Sequence, residues 1–238
     1  MYAMNYKNSI QKEYFETLVS TNEYAKTRRK DKKNLWILAK SQTGGKGTKG
    51  RSFSSLIGGL YATALLFYEG FPAKDAFKIM QRAAAAVCET LAHFGVLPKI
   101  KWPNDIYVNG KKICGILIEN TFSGAFVSSS VVGIGLNVQN ALKKELLPIA
   151  TTLEKETGKT FSVAEVEEKL FSLFFKENIE EKYCSYLGWL GEKATLIMGE
   201  KTREVTLLSV DERGGLLVKT GDGELRVSAG EVSLKIQS

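Results

Sequence analysis

A segment rich in glycine and cations, residues 44–51, constrains the fold more than any other part of the sequence. It follows an apolar run at residues 35–39 that predicts a buried strand, and the pattern G-x-G-x-x-G begins at Gly45. In a dinucleotide-binding fold such a loop opens a helix, whose N-terminus receives the pyrophosphate. Here residues 51–59 hold three serines and a Gly-Gly pair, and they lead into another β-like run. The sequence therefore predicts neither a dinucleotide fold nor a P-loop, which would end in Gly-Lys-Ser/Thr.

The same segment combines three cations, Lys46, Lys49 and Arg51, with glycines that let a ligand approach the backbone. The chain has a formal net charge of +7, and residues 1–60 alone hold 12 basic and 4 acidic residues. Cations beside open backbone amides suit a polyphosphate or an acyl phosphate. From this loop alone, a plain glycine turn remains the alternative interpretation.

The rest of the first 190 residues reads as alternating strands and helices. The capping-box spacing of Ser20 and Glu23 predicts a helix that runs to about Lys30. Apolar residues spaced by three and four predict a long helix over residues 74–94 and a surface helix over residues 162–186. The strands are predicted at residues 35–39, 60–68, 99–102, 106–108, 113–119 and 131–138, with a hairpin turn at Asn109-Gly110.

The pattern of apolar and polar residues changes from residue 194 onward. Five short alternating segments lie between residues 194 and 236, and turns at residues 211–215 and 221–223 separate them. This pattern predicts a small β-barrel or sandwich. We therefore predict two domains, residues 1–187 and residues 188–238.

The counts of histidine and cysteine exclude several kinds of site. His93 is the one histidine, so a Ser-His-Asp triad or a multi-histidine metal centre would have to be built around it. The three cysteines form no Cys-x-x-Cys pair, and we predict no disulfide framework and no protein-bound metal. No apolar run approaches the roughly 20 residues of a membrane span, so we expect a soluble, cytoplasmic protein.

A second candidate site follows at residues 101–105, Lys-Trp-Pro-Asn-Asp, and continues through the hairpin to Lys112. Strand alternation predicts that Lys112 shares a face with Cys114. Because both faces of that strand are apolar, Lys112 would lie at the mouth of a buried sheet, where it could meet an anionic reacting centre. The alternatives are a solvated hairpin lysine, and a turn cap formed by Asn104 and Asp105.

Five motifs stand in the order and spacing of the biotin protein ligases, a family that the chain resembles from about Ser20 to its end. The resemblance implies an α+β fold, in which a mixed sheet flanked by helices, similar to class II aminoacyl-tRNA synthetases, precedes a small SH3-like β-barrel. The tail segment Gly230-Glu231-Val232-Ser233-Leu234 resembles the C-terminal domain of that family. The five motifs are Ser20-Thr21-Asn22, Gln42-Thr43 with residues 45–51, Lys101-Trp102-Pro103-Asn104-Asp105, Lys112 with Gly115-Ile116-Leu117, and Gly133-Ile134-Gly135-Leu136-Asn137.

The resemblance also implies an activity, that of an ATP-dependent biotin–[acetyl-CoA-carboxylase] ligase. Biotin's carboxylate would attack the α-phosphate of ATP with Mg²⁺ present, and pyrophosphate would leave. The biotinyl-5′-adenylate would then acylate a lysine of a biotin carboxyl carrier protein. The family further suggests a homodimer. Since the residues ahead of Ser20 are too few for a helix-turn-helix, we expect no DNA binding.

The site residues implied by the resemblance fall into three groups. Lys112 would bridge the biotin carboxylate and the α-phosphate, Arg51 and Lys46 would hold phosphate oxygens, and Asp105 would accept a proton from the attacking lysine. The biotin-side residues implied are Ser20, Thr21, Asn22, Gln42, Lys46, Gly47, Thr48, Lys112 and Gly115. The nucleotide-side residues implied are Arg51, Phe53, Lys101, Trp102, Asn104, Lys112 and Asn137.

One departure from the family pattern and two alternative functions follow from the same residues. Thr48 stands where the family's loop, Gly-Arg-Gly-Arg-Arg-Gly-Arg, has an arginine, and Lys49 is a candidate to replace that charge. A lipoate ligase or octanoyltransferase would share the fold but would need apolar residues at positions 20–22 and 42. A nucleic-acid or ribosome-associated protein would instead show affinity that falls steeply with salt.

Overall fold

The computed structural model describes residues 10–230 and 232–236, and within these ranges it contains twelve β-strands and four α-helices. Glu231 of the tail motif and the outermost residues of both predicted domains, 1–9 and 237–238, lie outside the described residues. None of the helices in the described ranges has the length and apolarity needed to cross a membrane.

A mixed seven-stranded sheet forms the larger part of the molecule and confirms the predicted fold class. Its strand order is β1-β2-β3-β7-β6-β5-β4, with β1 parallel to β2 and every other neighbouring pair antiparallel. The first strand was not predicted from the sequence. The strands are β1 (Gln11–Leu18), β2 (Leu35–Gln42), β3 (Leu60–Pro72), β4 (Lys99–Lys101), β5 (Asp105–Val108), β6 (Lys111–Ser123) and β7 (Phe126–Leu136).

Helices cover both faces of this sheet. The long helix α2 (Phe77–His93) and α4 (Val163–Phe174) pack together over one face, where Trp36 and Leu38 of β2 point into the main core. The short helix α1 (Thr21–Thr27) packs on the opposite face, against β2, β3 and β7. A fourth helix, α3 (Leu153–Thr157), follows the loop after β7.

The predicted helix over residues 162–186 is wrong beyond Phe174. The guanidinium of Arg82 on α2 donates to the carbonyls of Phe174 and Lys176, both at 2.8 Å, and thereby takes up acceptors at the end of α4. Asn178 then adopts a left-handed conformation with φ of 54°, and two short 3₁₀ turns complete the segment. Tertiary contact with a neighbouring helix therefore ends α4 earlier than the periodicity indicates.

The C-terminal sheet contains the five short strands predicted from the alternating pattern. All neighbours are antiparallel in the order β11-β10-β9-β8-β12. No pairing joins the two outer strands within the described residues, so closure into a barrel stays a prediction, as does the domain boundary after residue 187. The strands are β8 (Lys193–Met198), β9 (Lys201–Val210), β10 (Leu216–Thr220), β11 (Gly223–Val227) and β12 (Ser233–Ile236).

The two sheets meet at Trp102, which follows β4. This side chain is only 6% exposed, and it belongs to the buried apolar cluster of the C-terminal sheet. Its indole nitrogen donates to the carbonyl of Gly214 at 3.1 Å. Gly214 has a φ of +79°, and a Cβ added there would lie 2.2 Å from the ring of Phe77 on α2. The turn between β9 and β10 therefore packs closely against helix α2, which covers one face of the seven-stranded sheet.

Candidate active site

A cleft opens on the α1 face of the seven-stranded sheet. It is bounded by the start of α1, the glycine loop after β2, the turn between β4 and β5, the first half of β6 and the end of β7. Of the predicted site residues, Trp102 alone does not line it. The predicted residues that do are Ser20, Thr21, Asn22, Gln42, Lys46, Gly47, Thr48, Arg51, Phe53, Lys101, Asn104, Asp105, Lys112, Gly115 and Asn137.

A β-bulge turns Lys112 into this cleft, and it overturns the predicted strand alternation. Ile106 pairs with Cys114 and Tyr107 pairs with Lys112, so Ile113 is an extra residue on β6. Because a bulge interrupts the alternation of side chains, Lys112 shares a face with Gly115 rather than with Cys114. A Cβ added at Gly115 would lie 3.0 Å from the Lys112 ammonium nitrogen. The expectation that Lys112 and Cys114 share a face is therefore wrong.

The reoriented lysine forms an ion pair across the bulge. Lys112 Nζ donates to Asp105 Oδ1 at 2.6 Å, and both side chains are partly exposed to the cleft. Strand β5 begins at Asp105, so the carboxylate has a fixed origin in the sheet. This pair presents a positioned cation next to a carboxylate at the centre of the cleft.

Bare backbone forms the floor beneath two of the predicted residues. On β7, a Cβ added at Gly133 would lie 2.1 Å from Asn22 Oδ1, and one added at Gly135 would lie 2.6 Å from Phe53 Cε1. The Phe53 ring also meets Tyr61 edge-on, with centroids 6.4 Å apart. These two glycines of the fifth motif thus make room for side chains of this same chain.

One end of the cleft is a buried polar network. Gln42 Oε1 accepts from the backbone nitrogen of Thr21 at 2.8 Å and from its hydroxyl at 3.1 Å, while Gln42 Nε2 donates to Ser55 at 2.8 Å. Beneath them, Thr63 Oγ1 lies 2.8 Å from Thr21 Oγ1 and 2.7 Å from Asn22 Oδ1. Sequence reasoning missed Thr63, although a threonine within an apolar run of β3 is a detectable signal. These contacts fix hydroxyl and amide groups before any ligand arrives.

The glycine loop is held to α1 by charge. Ser20 caps that helix, with its hydroxyl accepting from the backbone of Glu23 at 3.4 Å. Lys46 Nζ donates to the Glu23 carboxylate at 2.8 Å, and Lys26 reaches the same carboxylate at 2.9 Å. Hydrogen bonds from Lys46 and then Lys26 lower the pKa of Glu23 below its ordinary value of 4.5. One of the loop's three cations is therefore already paired.

The other two loop cations differ in direction. Arg51 donates to the Thr48 carbonyl at 3.3 Å and to the Thr48 hydroxyl at 3.1 Å, and it stays within the cleft lining. Lys49 instead donates to the Val232 carbonyl at 2.9 Å and to the Ser233 hydroxyl at 3.0 Å, on the C-terminal sheet. Thr48 thus orients Arg51, and Lys49 does not extend into the cleft.

Lys101 adds a further cation to the cleft, near Lys112 and Arg51. Burial lowers the pKa of its ammonium below the ordinary lysine value, Lys112 and Arg51 lower it further, and Asp105 opposes them. The ammonium also lies 5.4 Å from the ring centroid of Tyr107. Lys101, Lys112 and Arg51 therefore gather positive charge around one carboxylate, which suits a multiply charged anion.

The two predicted asparagines line the cleft but are partly used by backbone. Asn104 Nδ2 donates to the Ile116 carbonyl at 2.7 Å, and Asn137 Nδ2 donates to the Thr151 carbonyl at 3.0 Å. Beside Asn137 the cleft has an apolar wall that sequence reasoning missed. The sequence feature that could have indicated this wall is the group of apolar residues after β7, which show neither helical nor strand periodicity. The wall consists of Leu142, Leu146, Ile149 and Ala150.

No group of three or more His, Cys, Asp or Glu side chains that could hold a metal ion occurs in the described part of the chain. The carboxylate among the cleft-lining residues is Asp105. Such a site matches Mg²⁺ that arrives on phosphates, because this ion commonly takes one or two protein carboxylates and keeps water and phosphate ligands.

Comparison with known proteins gives a consistent set of matches. The model of the biotin/lipoate A/B protein ligase family matches residues 14–137, and that of the biotin protein ligase C-terminal domain matches residues 190–235. The bifunctional ligase/repressor BirA of Bacillus subtilis is 31% identical over 217 residues, which cover 83% of this chain and 65% of that protein. The chain thus spans less than two thirds of that relative's length.

Two further matches cover nearly all of their counterparts. The biotin–[acetyl-CoA-carboxylase] ligase of Paracoccus denitrificans is 29% identical over 216 residues, covering 84% of this chain and 90% of that protein. The biotin protein ligase of Aquifex aeolicus, solved in complex with biotin and ATP, superposes with a TM-score of 0.77 at 30% identity. That superposition covers 95% of this chain and 99% of the solved one. The similarity therefore includes both sheets.

Proposed function

The chain belongs to the biotin/lipoate A/B protein ligase family, and from that premise we propose that it is an ATP-dependent biotin protein ligase. The observation that carries the proposal is the position of Lys112. Its ammonium lines the same cleft as a polar end, formed by Thr21, Asn22 and Gln42, and a cationic end that includes Arg51. An acid and a nucleotide bound at these two ends would meet at Lys112.

The polar end suits the ureido ring of biotin. That ring offers two N–H donors and one carbonyl acceptor, and the hydroxyl and amide groups of Thr21, Asn22 and Gln42 can supply their partners. Ser20 caps α1 and fixes the start of the segment that carries two of these groups. Biotin bound in this way would direct its carboxylate towards Lys112 and Gly115.

The cationic end suits the phosphates of ATP. In the first step a biotin carboxylate oxygen bonds to the α-phosphorus, the bond from that phosphorus to the bridging oxygen breaks, and pyrophosphate leaves. Lys112 and Arg51 stabilise the charge that develops on the α-phosphate oxygens. Phe53 offers an aromatic face over Gly135 for the adenine ring. Lys46, which is paired with Glu23, holds the loop and reaches phosphate only if that pair opens.

In the second step a lysine amine of the carrier protein attacks the acyl carbon of biotinyl-5′-adenylate, and AMP leaves. The attacking amine must lose a proton, and Asp105 is the carboxylate available at the centre of the cleft. Mg²⁺ supplies charge neutralisation when it is bound with ATP, and Asp105 is the residue that would contact it.

The partner that follows from this chemistry is a biotin carboxyl carrier protein, the substrate of a biotin–[acetyl-CoA-carboxylase] ligase. The relative from Bacillus subtilis is named a bifunctional ligase/repressor, and for this chain we propose the ligase activity. A homodimer, which the family resemblance suggests, and a cytoplasmic location, which the sequence analysis expects, both stay predictions.

A lipoate or octanoate ligase is the nearest alternative, and the polar end argues against it. An alkyl chain placed there would offer no hydrogen-bond partner to the polar groups of Thr21, Asn22 and Gln42 that line this end. Sites built to hydrogen-bond a substrate discriminate strongly against analogues that lack the polar groups.

The test is pyrophosphate release by the purified protein with ATP and either biotin, lipoate or octanoate. Of the three acids, we expect only biotin to support pyrophosphate release in the presence of ATP. Lys112→Ala should lower the rate of release by about 10²–10³-fold, because an electrostatic contact to the reacting centre is lost. Lys111→Ala is the matched control, since this neighbouring lysine is exposed and does not line the cleft. Release with lipoate or octanoate, or near-normal turnover in Lys112→Ala, would contradict the proposal.

A further inference from the structure

The C-terminal sheet contacts both walls of the cleft's cationic end. The first wall is the turn between β4 and β5, which carries Lys101 and Asp105. Between these two residues Trp102 leaves the larger sheet and enters the buried cluster of the C-terminal sheet, where it is 6% exposed and donates to Gly214. The wall is therefore fixed from behind by a different sheet.

The second wall is the glycine loop, and Lys49 ties it to the same sheet. Lys49 Nζ donates to the Val232 carbonyl at 2.9 Å and to the Ser233 hydroxyl at 3.0 Å. The Val232 side chain is 4% exposed and belongs to the same buried cluster as Trp102. The C-terminal core, which contains both Val232 and Trp102, thus provides a path that connects the two walls.

Such a connection matters because each wall carries a cation, while the carboxylate beside them, Asp105, is already paired with Lys112. Lys101 belongs to the first wall and Arg51 to the second, and the positive charge of Arg51 disfavours the protonated form of Lys101. Like charges that face each other across an unliganded cleft repel, and the phosphates that would neutralise them arrive only with the substrate. Close-packed cores resist small displacements, so a contact inside one can hold this spacing.

We infer that Trp102 and Lys49 are positioning residues, through which the C-terminal sheet holds the two cationic walls at the spacing that a nucleotide's phosphates require. The inference rests on the proposed function for the identity of the ligand. The mechanical connection itself does not depend on it. Neither Trp102 nor Lys49 belongs to the cleft lining.

Tryptic cleavage without any ligand tests the connection directly. The readout is the rate of cutting at the bond between Arg51 and Ser52 in the loop, followed by mass spectrometry. We expect Lys49→Ala to speed this cut about threefold, because one exposed tether is lost. Trp102→Ala should speed it about tenfold although Trp102 does not touch the loop, and Trp102→Phe should act in the same direction if the alanine variant does not fold.

Matched controls separate this effect from general loss of stability. Leu170→Ala removes a fully buried side chain of α4 in the main core, away from the C-terminal sheet. Lys219→Ala removes an exposed lysine of β10, and Lys49→Arg keeps a cationic donor. We expect all three to be cut at the original rate. Cutting at an unchanged rate in both Trp102 variants, or equal acceleration in Leu170→Ala, would overturn the inference.

Steady-state kinetics supply a second test, because a residue that only stabilises the fold would not change the KM for ATP selectively. Trp102→Phe and Lys49→Ala should each raise the KM for ATP, by about tenfold and threefold, while the KM for biotin changes less than about twofold. If both act through one path, the double variant should be no worse than Trp102→Phe. Additive effects would overturn the shared path. Absence of biotin-dependent pyrophosphate release in the unaltered protein would refute the proposed function instead, and the cleavage result would still stand.

Discussion

At the scale of single residues, Lys101 is where burial and charge oppose each other most clearly. Its ammonium is partly buried and has Lys112 and Arg51 as cationic neighbours, with Asp105 as the compensating carboxylate. Burial and like charges both favour the neutral amine, so the pKa of Lys101 is lowered from 10.5. A bound polyphosphate would relieve this cost, which means that the residue is poised to bind an anion.

The lowered pKa gives a prediction about alkaline pH. In the free protein Lys101 loses its proton as the pH rises through a value below that of an ordinary lysine, so kcat/KM for ATP should fall on the alkaline side from that point. Lys101→Arg should remove this decline, because a guanidinium stays protonated above pH 12. The measurement is the pH profile of kcat/KM for ATP, with Lys111→Arg as the control. A decline that persists unchanged in Lys101→Arg would assign it to another group.

At the scale of single elements, strand β7 forms the floor of both halves of the cleft. Gly133 and Gly135 are two residues apart, so they face the same side, one beneath Asn22 and the other beneath Phe53. Any side chain at either position would displace the residue above it. One strand therefore defines both the proposed biotin end and the proposed adenine end.

Adding a methyl group at one or the other glycine should weaken the binding of one substrate and not of the other. Gly133→Ala should displace Asn22 and raise the KM for biotin about tenfold, whereas Gly135→Ala should displace Phe53 and raise the KM for ATP by a similar factor. Steady-state kinetics with each substrate varied in turn measure both effects. Gly221→Ala is the control, since a Cβ there meets nothing within 4 Å. If both variants raise the same KM, the two glycines do not define separate ends.

At the scale of the whole molecule, a buried arginine joins segments that are far apart in sequence. Arg82 on α2 is 5% exposed, and it donates to the carbonyls that follow α4 and to the Glu180 carboxylate at 2.5 Å. It packs the segment between the end of α4 and the C-terminal sheet against the long helix. The network lies outside the cleft lining and serves stability rather than chemistry.

Removing this guanidinium should destabilise the fold without changing the reaction. Arg82→Met leaves Glu180 and two carbonyls without their donor, and we expect the free energy of unfolding to fall by about 3 kcal/mol. Urea denaturation measures this loss. Lys78→Met on the same helix is the control and should change stability by less than about 0.5 kcal/mol, because Lys78 forms a surface ion pair with Asp75. Reduced turnover per folded molecule of Arg82→Met would show that the network reaches the cleft.

The sequence by itself determined the fold class, the five strands of the C-terminal sheet and a set of site residues of which all but Trp102 line the cleft. These features could be predicted because they depend on local spacing, on turn residues such as Asn109-Gly110, and on which functional groups stand at which intervals. Strand β1 escaped prediction because it is an edge strand of mixed polarity that depends on pairing with β2.

Only the tertiary structure decided the rest. The orientation of the Lys112 side chain follows from a bulge in its pairing with β5. Trp102 is buried because it packs into a core whose other buried residues lie more than ninety positions later in the chain. The end of α4 follows from an arginine on another helix. The bulge is set by strand pairing within one hairpin, whereas the other two contacts join segments that are distant along the chain. Their energy exists only after packing has brought those segments together.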